Sequence, residues 1–149
     1  MAEPPQRQHV ATIHIALRWG DMDALGHLNN TVYFRFLEEG RISWLSNLQA
    51  LPTAAAGFLL ASAGCNFRRA VIYPETVAVS TFIANIGRSS ISLYQEMRSV
   101  GDREILYADS DSRIVWADFT KGQAMPMPES LRAQLAAQGA IASHAAPRR

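Results

Sequence analysis

Between Arg18 and Asn30 the chain reads Arg18-Trp19-Gly20-Asp21-Met22-Asp23-Ala24-Leu25-Gly26-His27-Leu28-Asn29-Asn30. Asp21, Asp23, His27, Asn29 and Asn30 bring carboxylate, imidazole and amide groups into one short run, and residues at helical spacing follow at once. A helix start presents backbone N–H groups without an intrahelical acceptor and the positive end of the helix dipole. A loop leading into one can therefore stabilise an oxyanion as it develops. Spacing alone leaves two other readings open. Asp, Asn and Gly are common turn residues and asparagine caps helices, which would make the run a shaped connection without chemistry. Asp21-x-Asp23 is also a spacing at which two carboxylates bind Mg²⁺. A phosphotransferase built on that pair is disfavoured: no apolar parallel strand precedes Asp21, no glycine-rich phosphate loop exists, and alternating strand and helix units are missing.

The elements around the loop must hold it. Ala11, Ile13, Ile15 and Leu17 alternate with Thr12, His14 and Ala16, the period of a half-buried strand. From Asn30, with Asn29 or Asn30 as cap, Tyr33, Phe36, Leu37, Gly40, Trp44, Leu45 and Leu48 fall on one helical stripe. Arg35, Glu38, Glu39 and Arg41 fall mostly off it, over about five turns. Gly40 costs ~1 kcal/mol against alanine inside a helix and points to close approach of another backbone. Strands are predicted from Leu59 to near Pro74, Thr76–Ile86, Ser90–Arg98 and Glu104–Asp118, with turns at Gly87 and Gly101-Asp102. Pro128 opens a short helix that Gly139 should stop. The order predicts an α+β fold, an antiparallel sheet packed against one long helix.

A chain of 149 residues supports one core, so a single domain over residues 10–138 is expected, with a flexible N-terminus (1–9) and a frayed tail (139–149). Lys+Arg 14 nearly balance Asp+Glu 13, and a net charge of +1 is too weak a field to make nucleic acid or an anionic membrane the main partner. Met1 to His9 is polar and does not read as a secretory signal. The lone Cys65 makes no internal bridge and fits a reducing, cytoplasmic compartment. Ile42–Phe67 lacks Asp, Glu, Lys and Arg, but polar residues, Pro52 and Gly57 interrupt it, so it reads as a buried region and not as a spanning helix.

The run GDMDALGHLNNTVYFRFLEEGRISWL resembles the signature segment of the 4-hydroxybenzoyl-CoA thioesterase family of hotdog-fold proteins. There a D-x-D-x-x-G-H-x-N-N loop leads into a long central helix wrapped by the sheet. The resemblance extends in outline from Val10 to Gln134, but only the loop and helix are specific. It implies hydrolysis of acyl-CoA thioesters with neither metal nor other cofactor. It also implies homodimers joined edge to edge, often paired into tetramers, with active sites at the subunit interface. Asp23 corresponds to the family's nucleophile or water-positioning base, and the backbone N–H of Asn30 to its oxyanion donor. Asp21 has a weaker claim, as a residue that orders the loop. His27 stands where related acyl-carrier-protein thioesterases carry a catalytic histidine. Those relatives have an asparagine at the position of Leu25, so their full arrangement is incomplete here and His27 is expected to support Asp23.

Family members hold the phosphates of coenzyme A with basic side chains, for which Arg68, Arg69 and Arg88 are candidates. Arg68 and Arg69 are adjacent on a predicted strand and should point to opposite faces. Arg88 precedes Ser89 and Ser90, where side chain and backbone donors could meet a phosphate together. The aromatic stripe Tyr33, Phe36 and Trp44 is expected to be core. The small residues Gly57, Ala61, Ser62, Ala63 and Gly64 leave a channel beside the helix or simply let it approach. A hotdog protein that binds or dehydrates an acyl thioester without hydrolysing it is the remaining alternative.

Overall fold

The computed structural model describes residues 6–144. In it the chain runs through β1 (Gln8–Ala16), α1 (Asn30–Asn47), β2 (Ala56–Phe67), β3 (Thr76–Ile86), β4 (Ser90–Ser99), β5 (Leu106–Asp118), β6 (Gln123–Ala124) and α2 (Glu129–His144). The strands form one antiparallel sheet in the order β1-β3-β4-β5-β2, with β6 added to β5. This is the expected α+β arrangement. The period-2 pattern sets the faces: Val77, Val79, Thr81 and Ile83 of β3 point inward beside Met97, Gln95 and Leu93 of β4.

α1 lies directly on that inner face because Gly40 has no side chain. A Cβ there would stand 2.9 Å from Val79 Cγ1 and 3.0 Å from Gln95 Nε2. Around this contact the core divides. Tyr33, Phe36 and Leu37 pack with Leu17, Leu28, Val71, Val77 and Met97 at the helix start. Trp44, Leu45 and Leu48 pack with Ile83, Ile91, Leu93, Ile114, Trp116 and Leu131 at its end. Between the two clusters runs a polar row, Thr81–Gln95–Ser110, consecutive partners on β3, β4 and β5. Gln95 Nε2 donates to the Leu37 carbonyl (3.0 Å) and to Thr81 Oγ1 (3.0 Å), and Gln95 Oε1 accepts from Arg41 Nη1 at 3.2 Å.

Four expectations change. Arg41 is not on the solvent side of α1: it is buried, because the helix turns it over Gln95. Ile42–Phe67 is not uniformly buried, since β2 is an edge strand whose residues from Leu59 to Phe67 are largely exposed in the single chain. β2 also stops at Phe67. The N–H groups of Arg68 and Arg69 both donate to the Tyr107 carbonyl, at 2.8 and 3.1 Å, which ends the ladder and puts both arginines in a loop. Finally, α2 runs through Gly139 to His144, so residues 139–144 are helical where a tail was expected; residues 145–149, like residues 1–5, lie outside the described residues.

Gly40→Ala should destabilise the fold by up to about 2 kcal/mol: overpacking against Val79 costs about 1–3 kcal/mol, offset by the ~1 kcal/mol gained in helix propensity. A lowered urea midpoint with unchanged slope is the expected reading.

Candidate active site

The loop between β1 and α1 is shaped by its own carboxylates. A single 3₁₀ turn, Trp19–Asp21, buries Asp21. Its carboxylate accepts the Arg18 N–H at 2.8 Å and the Arg18 guanidinium at 3.1 Å, and its carbonyl accepts the Asn29 N–H at 3.0 Å. Burial raises the Asp21 pKa, but the Arg18 hydrogen bonds and charge, with Arg35 behind them, outweigh it and hold the group below the usual aspartate value. Asp21 is therefore an internal strut of the loop.

Beyond it the chain makes a narrow reversal. Met22 bridges Leu28, the Asp23 N–H donates to the His27 carbonyl (2.8 Å), and the Gly26 N–H donates to the Asp23 carbonyl (3.1 Å). Gly26 has φ +79°, a left-handed value that glycine adopts without a steric penalty. Asp23 Oδ1 accepts the Leu25 N–H at 2.9 Å and the His27 N–H at 3.4 Å. The carboxylate is thus fixed by one oxygen, and Oδ2 makes no hydrogen bond among the described residues. The His27 ring is exposed and makes none either; His27 holds Asp23 through its backbone. Leu25 is exposed at the tip.

Leu28 re-enters the core and its N–H donates to the Val71 carbonyl at 2.8 Å, seating the loop on the segment after β2. Asn29, of the two candidate asparagines, is the cap: its Oδ1 accepts the Thr31 N–H (2.9 Å) and hydroxyl (2.8 Å). The Asn30 N–H is left without an acceptor among the described residues. Asp23 and an unpaired helix-start donor are thus held on either side of Leu28. Tyr33, one turn on, is buried, packs edge-on against Phe67 at 4.9 Å and donates to the Arg69 carbonyl at 3.4 Å.

The structure does not bring the predicted phosphate ligands to this loop within one chain. Arg88, Ser89 and Ser90 form the β3–β4 turn, and β3 carries them about 30 Å from the loop end of the sheet. The turn is held by Arg132, whose Nη1 donates to the Gly87 carbonyl at 2.9 Å and the Arg88 carbonyl at 3.3 Å. The Arg88 side chain is exposed. Arg68 is on the outer face, paired with Asp109 at 2.7 Å beside Asn66. Arg69 is exposed in the loop after β2. The sequence reading missed Arg18 and Arg132 as supports. The three-residue separation of Arg18 and Asp21 was a usable signal; nothing local marks Arg132. Among the described residues no group of three or more His, Cys, Asp or Glu is arranged to share a metal ion, and no helix is long and apolar enough to cross a membrane.

A sheet wrapped on one long helix, with an aspartate loop at the helix start, defines a class. The chain belongs to the thioesterase-like superfamily, whose family profile matches residues 17–135. It is 24% identical over 124 residues to the long-chain acyl-CoA thioesterase FadM of Escherichia coli (strain K12), covering 81% of this chain and 93% of that one. It is 28% identical over 81 residues to the uncharacterised protein YsmA of Bacillus subtilis (strain 168), spanning 54% of this chain and about half, 55%, of that relative. Among solved structures, a Pseudomonas aeruginosa protein described provisionally as a thioesterase superposes with a TM-score of 0.81 at 35% identity, covering 86% of this chain and 99% of its own. The fold is the hotdog fold.

The Asp21 strut makes a pH prediction. Its folded pKa lies below the unfolded value of about 3.9, so its ionised form stabilises the fold above that range, and the contribution is lost as pH falls through the lowered native value. Asp21→Asn should therefore shrink the drop in urea midpoint between about pH 6 and about pH 3. An unchanged drop would remove Asp21 from the loop's support.

Proposed function

We propose that the protein hydrolyses an acyl-CoA thioester to the free acid and coenzyme A, within the 4-hydroxybenzoyl-CoA thioesterase family. The observation that carries this reading is the Asp23 carboxylate, fixed through Oδ1 with no hydrogen bond on Oδ2 among the described residues, in the loop that leads to the start of α1, where the Asn30 N–H has no acceptor among them. The relatives named as acyl-CoA thioesterases support it. The thioester oxygen sits on the Asn30 N–H, where the helix dipole favours the negative charge that develops. Asp23 either attacks the carbonyl carbon, displacing the thiolate to leave an acyl–aspartyl anhydride that water then cleaves to the free acid and Asp23, or takes the proton of a water that attacks directly, a proton then available to the departing thiolate. The C–S bond breaks, and the thiolate of coenzyme A leaves and is protonated. His27 keeps Asp23 in place through its backbone and supports the site as a secondary contributor. Asp21 acts only through the loop.

The site is completed by a second copy of the chain. β2 is a long edge strand without a charged residue, with Leu59, Leu60 and Phe67 about half exposed, a row of open hydrogen-bonding groups that requires a partner strand. Antiparallel pairing of two β2 edges about a two-fold axis reverses the partner's sheet. The partner's β3–β4 turn, with Arg88, Ser89 and Ser90, then lies at the same end as this chain's Asp23. Arg88 of one protomer and Asp23 of the other form one site, with Arg69 as a further phosphate contact; Arg68 is committed to Asp109.

Free-thiol release from a panel of acyl-CoAs in EDTA tests the reaction. Asp23→Asn should lower kcat at least ~10²-fold while the fold persists. Full activity in Asp23→Asn, or no thiol release from any member of the panel, would overturn the hydrolytic assignment in favour of binding or dehydration.

Subunit mixing tests the shared site. Arg88→Ala alone should raise KM with little change in kcat, since phosphate contacts far from the thioester contribute uniform binding. Mixed dimers of Asp23→Asn and Arg88→Ala should regain one intact site and the wild-type KM. No recovery on mixing would place both residues in one protomer's site or remove Arg88 from it.

A further inference from the structure

The polar row in the middle of the core carries groups that neither the fold nor the reaction uses. Arg41 is 7% exposed and its guanidinium has one hydrogen-bond acceptor, Gln95 Oε1; among the described residues no carboxylate is within ion-pair distance of it. Glu38, one turn back, attracts it only at longer range, and burial disfavours the charge. On the same inner face Ser110 (1% exposed) and Ser112 (6%) hold hydroxyls with no hydrogen-bond partner among the described residues. Buried polar groups are nearly always paired, and a buried unpaired charge is costlier still. A cation and two idle hydroxyl donors in one apolar core are a complement waiting for an anion.

The surroundings show how an anion would reach them. Ser110 pairs with Cys65, and Ser112 with Ala63, on β2. Ala63 is exposed and Cys65 partly so, while Ser110 and Ser112 beside them are buried. The cover provided by α1 therefore ends between β5 and β2, and the inner face of β2 is open along Phe67, Cys65 and Ala63. That strip begins at the candidate active site, where Phe67 meets Tyr33 (4.9 Å) and Phe34 (6.4 Å). It runs beside the helix toward Arg41, eleven residues after Asn30 or about 16 Å along the axis, and a helical side chain leans back toward the N-terminus and shortens that span.

We infer that the acyl group lies along this strip and that Arg41, with Ser110 and Ser112, binds a carboxylate at its far end, so that the preferred substrate is an acyl-CoA of medium length ending in a carboxylate. This rests on the reading of Asp23 and Asn30 as the reacting end of the site. The guanidinium offers charge-assisted hydrogen bonds to the carboxylate and each hydroxyl one more, while Gln95, itself held by donating to the Leu37 carbonyl, fixes the guanidinium's place.

The test compares matched pairs on the full chain: hexanoyl-CoA with adipoyl-CoA, octanoyl-CoA with suberoyl-CoA, and decanoyl-CoA with sebacoyl-CoA. Thiol release gives kcat/KM, and calorimetry on Asp23→Asn gives affinity for the same six compounds. In at least one pair the carboxylate-ended member should be favoured ~10-fold or more in both readouts. Arg41→Met, and separately Ser110→Ala combined with Ser112→Ala, should pull that ratio toward unity, so the assignment is tested even where one variant fails to fold. A wild-type preference for the plain acyl chain in every pair, or a ratio that neither variant changes, overturns the carboxylate pocket and leaves thioester hydrolysis standing. No thiol release from any compound overturns the hydrolytic reading alone. The calorimetric ratio then decides the pocket, equal affinities overturning it.

Discussion

Everything in this molecule is arranged around the place where α1 touches the sheet without a side chain between them. Gly40 lets the helix backbone settle against Val79 and Gln95, and Gln95 answers by donating to the Leu37 carbonyl. A larger residue at position 40 would lift the helix and separate both apolar clusters at once, because each is half helix and half sheet. The height of α1 also sets the position of its first residue. With the helix seated, Leu28 reaches the core beside Val71 and the cap falls to Asn29. The seating of the candidate loop is thus tied to a packing contact about half the length of α1 away.

The two aspartates of the loop are separated by environment. Asp21 is buried and its carboxylate is answered by Arg18, which holds the turn, while its backbone carbonyl accepts the Asn29 N–H. Asp23 is nearer the surface, with backbone donors on one oxygen only. A carboxylate saturated by a guanidinium would be a poor nucleophile and a poor base. One that is positioned by two N–H groups yet retains a free oxygen keeps its reactivity and loses little orientation. Two residues apart, identical side chains differ in environment, one held as an internal strut and the other proposed as the reagent.

Much of this was legible in the residues. The helical stripe from Tyr33 to Leu48 and the bounds of β3 follow from periodicity because packing obeys the same 3.6 and 2.0 residue repeats. The fold and the thioesterase-like superfamily were readable from the loop's residue types and its resemblance to a known signature. What escaped has physical reasons. Arg41 was assigned to the solvent face because its residue type is nearly always exposed, whereas its angular position beside Gly40 is inward, and only the tertiary partner Gln95 on β4 decides between them. The absence of charge in β2 was read as burial. The strand is an edge, and lack of charge marks an interface as well as it marks a core. α2 passes Gly139 because glycine inside a helix costs only ~1 kcal/mol, which the rest of the helix can offset. The distance from Arg88 to Asp23 depends on strand order, which no local pattern encodes.

The two edges of the sheet make the argument for function from another side. β1 exposes His9, Thr12 and His14, carries a bulge between His9 and Ala11, and packs Val10 and Ala11 against the cluster that contains Leu131 and Leu135 of α2. Polar outward residues, a bulge and a neighbouring helix are the means by which an edge is kept from pairing. β2 (Ala56–Phe67) has a register shift between Leu60 and Ser62, but it carries no charged residue and is largely exposed from Leu59 to Phe67. It lies next to Ser110 and Ser112, whose hydroxyls are unpaired, and near Arg41, whose guanidinium has no counter-charge among the described residues. Neither feature helps a lone chain. An open apolar edge invites association, and a buried charge with no partner opposes folding. In the proposed assembly both are answered along β2, by a second copy of the chain on its edge and an acyl group on its inner face.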